Sequence, residues 1–153
     1  MRQSIKVRDF AESDESALVS LWNACGLTRP WNDPALDIQR KICAQPDWLL
    51  VGMLNDEIVA SAMVGYDGHR GWINYLAVHP SHRQSGVGRL LMSEAEARLR
   101  GVGCPKINLQ VRRDNLEATA FYEAIGFTQD DVVSFGKRLT DDSIQQNEHE
   151  SKP

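Results

Sequence analysis

Residues 74–91, NYLAVHPSHRQSGVGRLL, hold the reading that decides the fold. An apolar, strand-like run passes through His79, Pro80 and Ser81 into Arg83-Gln84-Ser85-Gly86-Val87-Gly88, and a helical pattern begins at once. Val87, Leu91, Ala95 and Leu99 share one face of that helix with Leu90 beside them, and Gly101 and Gly103 end it. Two glycines and two arginines at the mouth of a helix suit an anion held on backbone amides.

Three kinds of phosphate-binding loop compete for these residues. A P-loop needs Lys and then Ser or Thr after its last glycine; here Arg89-Leu90 follow Gly88. A dinucleotide fingerprint needs a third glycine and an acidic residue about 20 positions on; Arg89-Leu90-Leu91 and PKINLQV stand there instead. The pattern that fits is Arg-x-x-Gly-x-Gly after an apolar strand and a short loop.

Working outward, SIKVRDF alternates apolar and polar residues and predicts a first strand. SDESALVSLWNAC predicts a helix with Ser13 as N-cap and Gly26 as its stop. LTRPWNDP is a proline-punctuated loop, and DPALDIQRKICAQ a second helix with Asp33 as N-cap and Pro34 at its first position. WLLVGML and EIVASAMVGY are strands joined by a tight turn at Asn55-Asp56. YDGHRG is a loop and WINYLAV a strand. After the glycine-loop helix, KINLQV is a strand. DNLEATAFYEAIG is a helix with Asp114 and Glu117 at capping-box spacing, and DVVSFGKRL is the last strand. The order β-α-α-β-β-β-α-β-α-β describes an α/β domain with a mixed sheet.

Composition narrows the function classes. The 153 residues suit one domain, read as 1–139, followed by an acidic polar tail, 140–153, whose composition favours disorder. Asp141, Asp142, Glu148 and Glu150 against Lys152 give that tail −3 of the chain's net −4. The domain is thus nearly neutral and lacks the electrostatic footprint of a nucleic-acid binder. No run of about 18 apolar residues predicts a membrane span, and MRQSIKVRDF lacks the apolar stretch of a signal peptide, so a cytoplasmic protein is expected. Cys25, Cys43 and Cys104 are odd in number and widely spaced, without a CxxC pair. They read as reduced, mostly buried small hydrophobes and not as a disulfide framework or zinc site, and no metal is expected.

LAVHPSHRQSGVGRLLM resembles motif A of the GCN5-related N-acetyltransferase (GNAT) family, Q/R-x-x-G-x-G/A, and RRDNLEATAFYEAIGF resembles the same family's second motif. Both lie in the family's order and separation, and the element order matches over roughly residues 4–139. LTRPWNDP, GYDGHRG and GCPKI further resemble small bacterial acetyltransferases of the YpeA type.

The resemblance implies acetyl-CoA as co-substrate, with its pyrophosphate as the anion. Arg83, Gln84, Ser85, Gly86, Val87, Gly88 and Arg89 would then hold the pyrophosphate, the glycines permitting close backbone approach. Leu76, Ala77 and Val78, on the strand that splays in this family, would bind the pantetheine arm as an added strand does. Asn115 matches a cofactor-contacting residue and also suits a helix cap. Tyr122 matches the general acid: a phenol of unperturbed pKa about 10 stays protonated at neutral pH and can serve a thiolate leaving group. It could equally sit on the apolar helix face formed by Ala118, Phe121 and Ile125.

A general base is less legible. Positions where relatives carry glutamate hold Gln110 and Trp72, which leaves Asp67 and His69 of YDGHRG, or a water chain to bulk. Trp31, Arg29 and Asp33 are candidates for an acceptor wall, and Asp33 and Asp37 for attracting a cationic amine. The reading is acetyl transfer from acetyl-CoA to a primary amine of a small molecule or protein, by direct attack in a ternary complex. The alternatives are an N-terminal protein acetyltransferase, an enzyme for a longer acyl chain, and an acyl-CoA-binding regulatory module without chemistry. Because final strands in such folds often pair between subunits, the resemblance admits a homodimer.

Overall fold

The computed structural model describes residues 4–143, and in them the predicted order of elements recurs up to the last strand. The elements are β1 (Ile5–Asp9), α1 (Glu15–Ala24), α2 (Pro34–Ala44), β2 (Leu49–Leu54), β3 (Glu57–Tyr66), β4 (Gly71–Val78), α3 (Val87–Gly101), β5 (Ile107–Leu109) and α4 (Leu116–Ala124). The five strands form one sheet in chain order. Neighbours are antiparallel except β4 and β5, which are parallel, so the sheet is mixed as expected.

Side-chain alternation distributes the core to both faces of the sheet. From β2, Leu50 and Leu54 pack with Val87, Leu91, Met92, Ala95 and Leu99 of α3, while Leu49 and Val51 pack with Leu18, Leu21 and Trp22 of α1 and Ile38 of α2. That is why LLVGML is apolar throughout. Fully burying a side chain of this size contributes about 1.5–3 kcal/mol. Gly52 lets α3 close on the sheet: a Cβ there would lie 2.8 Å from Val87 Cγ2 and 3.0 Å from Ala60 Cβ. It thereby sets how near the start of α3, and the loop before it, sits to the strands.

Local signals explain most boundaries. The Asp33 carboxylate accepts from the Ala35 and Leu36 amides at 2.9 and 3.4 Å, and Pro34 opens α2. Asn55 and Asp56 have φ of 50° and 69°, the two left-handed residues a two-residue hairpin turn requires. Other readings are corrected. Asp14, not Ser13, organises the start of α1, because its carboxylate accepts from the Ala11 amide at 2.8 Å and from Arg8. Asn115, not Asp114, caps α4. Leu90 is solvent-exposed beside the buried face of α3, and Cys43 is exposed, with Cys25 and Cys104 only partly covered.

Two differences concern the C-terminus. Residues 131–139 form no strand ladder within the chain. Part of the expected tail is anchored: buried Asp142 accepts from the Asp33 amide at 2.7 Å and receives the Arg40 guanidinium at 2.7 Å. The Arg40 hydrogen bond holds the Asp142 carboxyl below its usual range. The rest of that tail, from residue 144, lies outside the described residues.

Lys41 is buried on α2, its Nζ donating to the Val64 carbonyl and to Gln45 Oε1 at 3.0 Å. Burial lowers its pKa to about 8. Between pH 8 and the unfolded value of about 10.4 the unfolded chain binds more protons, so stability rises with pH across that window. We expect wild type to gain about 2–3 kcal/mol relative to Lys41→Met between pH 8 and 10.5, measured by urea unfolding. Parallel pH curves would show that Lys41 titrates normally.

Candidate active site

β4 and β5 pair only from Gly71↔Ile107 to Ile73↔Leu109, whereas β4 continues to Val78. Beyond Ile73 the two strands part, leaving the outer edge of residues 74–78 without a ladder partner in the sheet. Leu76, Ala77 and Val78, the residues expected to bind an extended arm, lie along that opened edge.

A bulge shapes the apex of the opening. Between Ser61↔Ala77 and Met63↔Asn74, β3 advances two residues and β4 three. Tyr75, inside the bulge, has φ of 50°, a left-handed conformation that costs a tyrosine about 1–2 kcal/mol. A network holds it there. Its ring stacks on Trp22 at 3.8 Å and 13°, its hydroxyl donates to Asp37 Oδ2 at 2.6 Å, and its carbonyl accepts from Ser61 Oγ at 2.8 Å. Ser61 Oγ in turn accepts from Trp22 Nε1 at 2.9 Å, and Trp22 and Ser61 are fully buried. Burial and then the Asp37 carboxylate push the Tyr75 phenol well above its ordinary pKa, so it stays a donor. In the sequence Trp22 is one apolar residue at helical spacing with Leu18 and Leu21, and no local signal marks Tyr75 or Ser61.

The glycine loop follows β4 directly. Gln84 and Gly86 both have positive φ, 64° and 89°, and Gly86 opens α3 without any side-chain cap. The first amides of a helix lack intrahelical acceptors and carry the positive end of its dipole. A Cβ on Gly86 would meet nothing within 4 Å, so the concavity is open. At Gly88, in contrast, a Cβ would come within 3.2 Å of Val78 Cγ2 and 3.5 Å of the Phe121 ring. Gly88 thus lets α3, β4 and α4 meet at one end of the opening. Ser85 Oγ accepts from the Val87 amide at 3.4 Å. Arg83 donates to the Val78 carbonyl at 3.4 Å and pairs with Glu117 at 3.5 Å, tying the loop to the first turn of α4, while Arg89 is exposed.

α4 contributes Asn115 and Tyr122. Asn115 Oδ1 accepts from the Ala118 amide at 3.1 Å, so its capping role is realised. Tyr122 lies edge-on between Phe121 and Phe127, at 5.3 and 5.6 Å. It packs against the same cluster as Leu76, Val78 and Leu109, across the parting of β4 and β5. Burial raises its pKa to about 12. Among the described residues its hydroxyl makes no hydrogen bond, which leaves the proton for a ligand.

His69 is not brought to this place. It is exposed on the β3–β4 hairpin, in a turn where the Asp67 carboxylate accepts from the His69 and Arg70 amides, both at 2.7 Å. Those amide bonds hold Asp67 below its usual pKa range. The hairpin lies beyond Gly71, at the closed end of the β4–β5 pair. Trp72 turns toward it, with Nε1 3.4 Å from Asp67 Oδ2. Gln110 is exposed just past the last β4–β5 pairing and reaches Ser134.

The α1–α2 loop, where candidates for an acceptor wall were expected, meets the C-terminal segment. Trp31 is 40% exposed, and the Arg138 guanidinium lies 5.7 Å from its ring centroid. The Trp31 carbonyl accepts from Arg138 at 3.2 Å and from the Asp142 amide at 3.3 Å. Arg40 links Asp37 at 3.1 Å to Asp142 at 2.7 Å. No cluster of three or more metal-ligating side chains occurs among the described residues, and none of their helices is long and apolar enough to cross a membrane.

The uncapped α3 N-terminus, the open strand edge and the free Tyr122 hydroxyl fit an acyl-CoA of the expected kind. Comparisons agree. The sequence pattern of the acetyltransferase (GNAT) family matches residues 16–127. A protein named acetyltransferase from Pectobacterium atrosepticum is 46% identical over 138 residues, covering 90% of this chain and 98% of that one. Another of that name, from Sodalis glossinidius, is 46% identical over 139 residues, with 90% and 98% covered. Among solved structures, the aminoglycoside N-acetyltransferase AAC(6')-Iy in complex with CoA superposes with a TM-score of 0.70 at 19% identity, over 90% of this chain and 96% of that one.

Proposed function

Starting from the fact that this chain belongs to the GNAT family and is an acetyl-CoA-dependent N-acetyltransferase, we propose that it transfers the acetyl group directly to a primary amine within a ternary complex. What supports this is the unpaired β4 edge at residues 74–78, the uncapped α3 N-terminus that follows it in the chain, and Tyr122 packed against the same cluster as Leu76 and Val78. When bound, the thioester supplies an activated acetyl carbon and a thiolate leaving group.

The chain's own residues do the rest. The amides of residues 84–89 bind the pyrophosphate, and Arg83 and Arg89 add charge. Residues 76–78 orient the pantetheine by strand-like hydrogen bonds. The Tyr75 bulge places the reacting end at the apex of the opening, and rigid placement is the largest contribution expected of such a site. Tyr122 donates its proton to the sulfur as charge develops there. A phenol near pKa 12 holds that proton at every working pH, so it is always present as a donor, though a weaker acid than a free phenol. The attacking amine must be neutral. Neither Gln110 nor the remote His69 suits the base, so water at the open acceptor side carries its proton away.

A covalent acetyl-cysteine route is disfavoured. Cys25 reaches the end of β4, its Sγ donating to the Val78 carbonyl at 3.3 Å, but burial pushes its thiol pKa up. The nucleophilic thiolate is therefore depleted. The test is initial-velocity kinetics on a panel of aliphatic amines, amino acids and peptides with free N-termini. Intersecting lines with one acetylated amine formed per CoA released are expected. Parallel lines, or a trapped acetyl-enzyme, would overturn direct transfer.

A further inference from the structure

Asp142 carries a carboxylate that is 1% exposed. Burying a charge is costly unless it is paired and hydrogen-bonded. The partners of Asp142 converge on α2 and the loop before it. Oδ1 accepts from Arg40 Nη2 at 2.7 Å, and Oδ2 accepts from Arg40 Nη1 at 3.2 Å and from the Asp33 amide at 2.7 Å. Its own amide donates to the Trp31 carbonyl at 3.3 Å.

The Arg40 guanidinium does more than neutralise this charge. Arg40 Nη1, held by Asp142, also donates to Asp37 Oδ1 at 3.1 Å, one turn back on α2. The other oxygen of that carboxylate, Oδ2, receives the Tyr75 hydroxyl at 2.6 Å. A planar carboxylate gripped at one oxygen has little freedom at the other. Orientation therefore passes from Asp142 to Arg40, from Arg40 to Asp37, and from Asp37 to the phenol. The two-pronged grip of Asp142 makes Arg40 a fixed point, because a guanidinium held by two hydrogen bonds cannot swing as a lone cation does. Nearly half of the Arg40 side chain is open to solvent, so without Asp142 it is free to turn to water. The relay ends at the residue with φ of 50° in the β4 bulge. Stacking on Trp22 sets the plane of the Tyr75 ring, and Ser61 holds its carbonyl. Neither contact stops the ring from sliding within the stack; the tether on its hydroxyl does.

We infer that Arg40 and Asp142 are positioning residues for acetyl transfer, acting through Asp37 on the Tyr75 bulge. The inference rests on the proposed transfer reaction, in which that bulge places the reacting end. Neither residue touches the donor in this scheme. Each sets how firmly the bulge is held, and so how often the reacting atoms meet in a productive geometry. The effect falls on kcat and not on the KM for acetyl-CoA, because the relay makes no contact with the glycine loop that is proposed to hold the pyrophosphate.

The test uses the full chain and compares Asp142→Asn, Arg40→Lys and Tyr75→Phe, with Asp142→Asn and Tyr75→Phe also combined. Each single variant should lower kcat for CoA release by about fivefold or more, with the KM for acetyl-CoA within about twofold. Arg40→Lys keeps the charge but not the fork, so it should behave as Asp142→Asn does. Once the phenol hydroxyl is gone the relay ends on nothing, so Asp142→Asn should lower kcat no further in the Tyr75→Phe background. Hydrogen exchange, read without substrate, should quicken at the β4 amides beside the bulge, where the strand pairs with β3. A mere anchor for the chain end predicts lower thermal stability with kcat unchanged, and that result in Asp142→Asn or Arg40→Lys overturns the inference. Losses that multiply in the double variant overturn it too, as does a lower kcat with unchanged exchange. A wild type that releases no CoA with any amine counts against the transfer reading itself. Quickened exchange in Asp142→Asn that is no greater in the double variant would then still support the relay, and unchanged exchange would overturn it.

Discussion

Tyr122→Phe should lower kcat by about 10²-fold or more while leaving the KM for acetyl-CoA within about twofold. The ring is kept, so packing against Phe121 and Phe127 persists; only the proton donor is lost. The pH profile separates this role from a structural one. With Tyr122 at about 12, the donor is fully protonated from pH 6 to 9. The loss should therefore be the same factor at every pH in that range. A core role predicts a fall in thermal stability with kcat nearly unchanged, and that outcome would remove Tyr122 from the mechanism. A loss that varies strongly with pH would mean that another group protonates the thiolate.

Trp22→Ala should destabilise the fold by about 3–5 kcal/mol in urea unfolding, the range for truncating a buried aromatic. The effect should not stop at stability. Trp22 stacks on Tyr75 and donates to Ser61, which donates in turn to the Tyr75 carbonyl. Removing the indole takes away the stack on a residue held at positive φ and the bond that orients Ser61 toward its carbonyl. Below its melting temperature the variant should thus lose activity as well, through kcat, because the bulge that positions the reacting end relaxes. Trp22→Phe keeps a ring against Tyr75 and should recover most of the activity with about 1–3 kcal/mol of the stability still missing, since the bond to Ser61 is gone. Full activity in folded Trp22→Ala would show that the bulge needs no such support.

The backbone geometry of the proposed donor half was legible in the sequence because it depends on freedom at adjacent positions. Arg83-x-x-Gly86-x-Gly88 before an amphipathic helix states an uncapped helix start that a chain can approach, and Gly86 does take φ of 89°. Asn55-Asp56 and Asp33-Pro34 were readable for the same local reason. Features set by distant residues were not. WINYLAV scans as one continuous strand, because nothing in it signals a left-handed tyrosine; the bulge arises from Trp22, Ser61 and Asp37, far away in the chain. Asp142 looked like part of a solvated tail, yet it closes on Asp33 and Arg40 over a hundred positions earlier. His69 has the right chemistry in a plausible loop, and only the β4–β5 pairing shows that the loop lies at the closed end. DVVSFGKRL has the composition of a strand, but composition does not supply a neighbour, and among the described residues 131–139 join no ladder.

In the proposed mechanism the donor's pyrophosphate rests on the amides at the start of α3. Calorimetry of acetyl-CoA binding at fixed ionic strength tests it, with wild type, Gly86→Ala and Gly86→Glu compared. Both substitutions meet the same backbone strain, at φ of 89°, and neither side chain meets protein atoms at its Cβ. Only the glutamate adds bulk and negative charge where the phosphates should sit. Micromolar binding by wild type, a loss of severalfold in Gly86→Ala, and no measurable binding by folded Gly86→Glu are expected. Equal affinity in wild type and Gly86→Glu would place the donor elsewhere and contradict it.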